Sequence, residues 1–257
     1  MNLWTPPPCL GQFAFDREAV RAQWDELHIA DAQPCPTSDA LLDGWALFHT
    51  GLLERALNAG HTQPGVGGAA LACRASACHA VLVEPNPATR LLQLNHLHMR
   101  ACTFAAFAPR EAGAWFWQGW ALTQYVRFGG IAPALSQGFV APALAALRTA
   151  LLLDATHPFA HLTLGLLHAS LINTLGAIGA LMGYGVREGA ALLHLRTAVQ
   201  AAPTCPAVLH EAAQALLLLG EGNLPEAITL IERAAHHSAR DASEWLGVEL
   251  ARAQLEL

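Results

Sequence analysis

The chain contains no lysine, and all 14 of its basic residues are arginine, set against 20 acidic ones. A net charge of −6 leaves no basic footprint for a nucleic-acid backbone, so no nucleic-acid partner is expected. Lacking lysine, the chain also lacks a lysine base, a Schiff-base amine and the phosphate-binding lysine of a P-loop. Charged residues amount to only 13% and hydrophobic ones to 53%, the reverse of the balance that keeps a chain disordered. Tyrosine occurs twice and β-branched residues are sparse, which argues against an all-β fold. What is abundant is alanine, at 51 residues, and leucine, at 43, both strong helix formers. A length of 257 residues allows one large domain or two small ones. The opening residues lack the basic start and apolar run of a secretory signal, and Pro6, Pro7 and Pro8 would interrupt such a run. Six cysteines in so long and apolar a chain read as reduced thiols, so the expected location is cytoplasmic.

Residues 155–186 carry no Asp, Glu, Arg or Lys, a length that could span a bilayer. His157, His161, His168 and Asn173 lie inside that stretch, Gly165, Gly176, Gly179 and Gly183 interrupt it, and no basic cluster flanks it. A buried helix hairpin is the expected explanation, and a membrane span is not.

Internal repeats give the strongest signal. Three segments share a pattern of small residue, large residue four later, and small residue three after that. They are Ala143/Leu147/Ala150, Ala191/Leu195/Ala198 and Ala227/Ile231/Ala234. On a helix these positions share one face, where the small residues admit a neighbouring helix and the large one fills the space beside it. Three further segments place Gly or Ala at the centre of an apolar helix: Trp115 to Leu122 around Gly119, His161 to His168 around Gly165, and Leu209 to Leu216 around Ala213. These resemble the first helix of a tetratricopeptide repeat (TPR), and the former three its second helix, though the spacing exceeds the usual period of about 34 residues. The excess falls between helices, in the glycine-rich run around Gly176 and in the segment around Gly129 and Gly130. Upstream, Trp45 to His49 with residues 51–56 reads as a short helix pair, and residues 67–83 and 88–107 as two more helices. An isolated amphipathic helix is expected over residues 16–28, and a last helix over 241–257 with Asp241 as N-cap. Glu244, Glu249 and Arg252 would keep the outer face of that last helix polar, as a capping helix requires.

The chain resembles a family of proteobacterial TPR proteins to which no reaction is assigned. The resemblance rests on Trp24-x-x-Leu27-His28, on Trp45-Ala-Leu-Phe-His49-x-Gly51 and on Ala160-His-Leu-Thr-Leu-Gly165. It continues through Gly176, Tyr184-Gly185-Val186 and Asp241-Ala-x-Glu244-Trp-Leu-x-Val-Glu249. It implies an all-α, right-handed superhelix of antiparallel helix pairs, about 11 or 12 helices, with an adaptor-like role. The expected organisation is an N-terminal arm over residues 1–37 and a TPR-like domain over 38–257.

Catalytic and metal signatures are weak. No Gly-x-Ser-x-Gly, His-Glu-x-x-His or Glu-x-x-His motif occurs. His98 and Cys102 share a helix face, but Cys73 and Cys78 align poorly and no Cys-x-x-Cys pair exists. His161 and His168 also share a face, without an identifiable third ligand. Gly65, Gly67 and Gly68 read as a helix start. No cofactor, metal or enzymatic role is therefore expected. The first helices of such pairs line the concave face, which nominates Phe116, Trp120, Gln124, Arg127, Leu162, Leu166, His210 and Gln214 as a groove for an unknown protein or peptide. A homodimer through the ends of the array is the other association that the pattern allows. A contrasting expectation is a binder of small apolar ligands, similar at a distance to the helical TPR component of tripartite (TRAP) transporters.

Overall fold

The computed structural model describes residues 4–256 and holds, among them, fourteen α-helices and no strand. The fold is an all-α, TPR-like superhelix. The chain opens with α1 (Arg17–Ala22) and α2 (Trp24–Leu27), then come α3 (Asp39–His49), α4 (Leu53–Thr62) and α5 (Val66–Cys78). A π-helical turn, His79–Val83, continues α5, and α6 (Pro87–Phe107) follows. The array goes on through α7 (Ala112–Gly129), the short α8 (Ile131–Ser136), α9 (Val140–Leu153), α10 (Pro158–Tyr184) and α11 (Glu188–Ala201). It ends with α12 (Pro206–Leu218), α13 (Leu224–Ala235) and α14 (Ala242–Leu255). Helix starts follow local chemistry: Asp16, Asn86 and Asp241 each accept a backbone N–H of the first turn, and Pro opens α6, α10 and α12.

The repeated small–large–small faces are where helices pair. Ala143, Ala191 and Ala227 are all fully buried. Opposite them the backbone comes close: a Cβ on Gly119 would stand 2.5 Å from Leu147 Cγ, and one on Gly165 would stand 2.8 Å from Leu195 Cγ. Thus α7 pairs with α9 and α10 with α11, and α12 pairs with α13 through Ala213 at the glycine position.

Helices α3, α5, α7, α10, α12 and α14 form the inner layer, each packed on the next, and α14 packs back on α3. The superhelix therefore closes into a ring. At the seam His49 Nδ1 lies 2.5 Å from Asp241 Oδ2. Gly51 turns the chain there at φ 93°, and a Cβ on it would be 3.1 Å from Ala242 Cβ. A second, smaller core gathers residues from both halves of the chain, Cys9, Trp24, Leu42, Trp45 and Phe48 with Ala242 and Leu246.

Four expectations need correction. The helix over residues 16–28 is broken at Gln23, and it is not isolated. Arg17 binds Asp39 and Asp43 at 2.6 and 2.7 Å, and Trp24 meets Trp45 edge-on. Residues 155–186 are not buried throughout. They hold α10, two helical parts that meet at Gly176, whose φ of 72° and ψ of 163° only glycine adopts readily. Its first part is buried, whereas Ile178 and Met182 beyond the break are 80% and 82% exposed. In α14, Glu244 does not face outward, because it is largely buried and pairs with Arg240. The helix count exceeds expectation because α1, α2 and α8 are short elements without a full amphipathic period. Two segments, Val66–Val83 and Pro158–Tyr184, are long and apolar enough to cross a membrane, and the first is mostly buried here.

Candidate functional site

The nominated groove residues lie on the inner layer, on three successive helices. Ring closure brings that layer's faces together. Phe116, Trp120, Gln124, Leu162, Leu166 and His210 are buried, and only Arg127 and Gln214 are partly exposed. The inner face is therefore not a continuous open groove. Phe116 stacks at 6.1 Å on Phe159 and Trp120 lies edge-on to Trp117 at 5.6 Å. Arg74 of α5 reaches across to the rings of Phe159 and Phe48, at 5.0 and 5.6 Å. What remains at the centre is a cavity of about 60 Å³, bordered by Arg74, Cys78, Phe116, Trp120, Phe159 and Glu211. That is room for roughly two waters and not for a peptide.

Further along the same faces, Gln124 is fully buried and neither its amide oxygen nor its nitrogen has a partner among the described residues. His210 and Gln214 both meet Gln254 Oε1 of α14, at 3.1 and 2.5 Å. Burial, and then the nearby Arg127 charge, push the His210 imidazole down to about 4. Arg127 is paired with Glu211 at 3.7 Å, too long for a hydrogen bond. Burial raises the Glu211 carboxyl, and Arg127 opposes that rise. Beyond Arg127 the inner face opens into a cavity of about 380 Å³ between the C-terminal parts of α7 and α12 and the middle of α10.

A cluster without any assigned role in the sequence lies at the seam. Trp24 stacks on His28 at 3.8 Å, and Trp45 on His49 at 6.0 Å. His28 Nδ1 lies 3.0 Å from Asp31, as His49 does from Asp241 at 2.5 Å. Burial alone would raise both carboxyls, yet the histidine partner, a backbone N–H and the Arg74 charge together outweigh it and hold Asp31 and Asp241 below the ordinary carboxylate range. The residues Trp24, His28, Trp45, His49 and Asp241 that carried the family resemblance are thus one packing unit. Its only local signal is the Trp-x-x-x-His spacing, which occurs twice; the aspartates could not be paired with it from spacing.

Elsewhere, His161 and His194 meet Nδ1 to Nδ1 at 2.8 Å, with His168 buried beside them and unpartnered. Burial first, then the neighbouring imidazole and Arg148, push His168 and His194 down to about 4, so both are neutral at neutral pH. His98 Nε2 is 3.5 Å from Cys102 Sγ. Among the described residues no group of three or more His, Cys, Asp or Glu is placed to hold a metal ion. All six cysteines are free, and burial pushes the thiols of Cys73 and Cys78 up to about 12 and that of Cys205 to about 11. These thiols are packing groups and not nucleophiles.

No protein-family model matches the chain, and no curated protein does. Among solved structures, a thermophilic TPR protein from Thermus thermophilus aligns with a TM-score of 0.56 at 19% identity, over 84% of this chain and 98% of that one. At such identity the likeness carries the architecture alone: this chain has the fold of a TPR-like helical-repeat protein.

Proposed function

We propose that the chain is a non-catalytic scaffold that binds a protein partner through the rim of the ring where the inner face opens. The fold favours this reading, since stacked helix pairs present extended surfaces for other chains. One observation carries it further. Past the Gly176 break, α10 presents Ile178 and Met182 to solvent at 80% and 82% exposure, on a stretch free of charge from residue 155 to 186. Large apolar side chains set together on a surface mark contact sites. Of the nominated groove residues, Arg127 and Gln214 lie at this open end, while Trp120 and Gln124 are core and unsuited to a surface test. The test is affinity capture with wild type and an Ile178→Ser/Met182→Ser variant. Specific loss of a co-purifying protein from the variant is expected, and identical sets from both would end the reading. A change of oligomeric state between the two would identify the partner as a second copy of the chain.

A further inference from the structure

We propose that the 380 Å³ cavity at the open end of the inner face binds a small monocarboxylate carried on an apolar stem, an alkyl carboxylate, with Arg127 holding the head group. Its volume falls in the range of small-molecule sites, about 300–1,000 Å³. Val126, Ile131, Leu166, Leu217 and Leu218 supply apolar wall on three helices and the short α8.

The polar groups decide the head. Ser170 Oγ donates to its own helix, to the Leu166 carbonyl at 2.9 Å, and Gln214 Nε2 donates to Gln254 at 2.5 Å. Asn173 and Thr174 are exposed at the rim, where water serves them. Arg127 differs. Its side chain is only 26% exposed, and among the described residues no acceptor lies within hydrogen-bond distance of its guanidinium. Its nearest anion, Glu211 at 3.7 Å, borders the small central cavity and not this one. A guanidinium offers five N–H donors in a planar fork, and those of Arg127 line the cavity with no acceptor among the described residues to engage them. A carboxylate entering from the open side takes two parallel N–H bonds, while the stem covers the leucines. An extended peptide would need backbone partners at regular intervals, and the Ser170 and Gln214 groups that could serve are already engaged.

The proposal shares the opening with the scaffold reading but not its test, which uses Ile178 and Met182, so either can fail alone. The measurement is calorimetric titration of the full chain with decanoate, methyl decanoate and decyltrimethylammonium, for wild type and Arg127→Gln. Saturable one-to-one binding of decanoate is expected. Arg127→Gln should weaken it at least about tenfold, the worth of a charge-assisted hydrogen bond, and leave the ester's affinity unchanged. If Arg127→Gln fails to fold, as circular dichroism would show, Leu218→Asn keeps the ion pair and must weaken acid and ester alike. Absence of saturable binding, equal affinity for the cationic amphiphile, or undiminished decanoate binding by folded Arg127→Gln overturns the proposal. Tighter binding of a leucine peptide through its free carboxyl end would overturn it too, by giving the site to a protein tail.

Discussion

Asp241 holds two jobs with its two oxygens. Oδ1 accepts the Glu244 backbone N–H at 2.7 Å and caps α14, while Oδ2 meets His49 across the seam. Asp241→Ala should therefore lose a cap and leave a buried imidazole unpaired, at a cost of about 2–4 kcal/mol in urea unfolding. Asp241→Asn, which can still cap, should recover about 1 kcal/mol of that; equal losses would show that the cap is silent. Histidine burial sets the pH response. His168 and His210 are depressed to about 4 from an ordinary value of 6.5. Below pH 6.5 the unfolded chain takes up protons that the folded chain refuses. The contribution of each is thus complete above pH 6.5 and lost as pH falls to about 4, on the order of 3 kcal/mol apiece. Tm should fall between pH 7.5 and pH 5, and His168→Phe should flatten that slope; a flat wild-type profile would refute the assignment. Asp31 and Asp241 act in a lower window, since their depressed values give stability that is present above the ordinary carboxylate range and lost below it.

Pairing of the helices was legible in the sequence because it depends on residues three and four apart. Ala143, Leu147 and Ala150 declare a face, and Gly119 declares the surface that meets it. Gly165→Ala places a Cβ 2.8 Å from Leu195 and should destabilise by about 1–3 kcal/mol. Gly183→Ala, a helical position with open space around it, should instead stabilise by about 0.5–1 kcal/mol, measured in the same unfolding series. Less legible was α10. Its lack of charge suggested burial throughout, but absence of charge reports composition and not contact, and the turns past Gly176 stand free. The split at Gln23 was hidden too, since α1 and α2 together keep one apolar face through Val20 and Trp24.

Ring closure is a property of six inner helices taken together, and no local pattern encodes it. His49 and Asp241 stand 192 residues apart, so periodicity could not join them. The same closure explains the fate of the nominated groove. Its residues lie on inner-layer helices, yet most meet at the centre instead of facing an opening, because α14 packs back on α3. A double-mutant cycle on His49→Phe and Asp241→Asn should give a coupling of about 1–3 kcal/mol, as for a buried contact across one cooperative unit; additive effects would mean that the seam opens freely. An unclosed stack of such units grows by duplicating one of them, since each new copy simply lengthens the row. Here the count is locked: an extra pair would pry His49 from Asp241 and divide the core that both chain ends share. Diversification of this architecture must then proceed by lengthening the spacers, as at Gly176, with the number of units held constant.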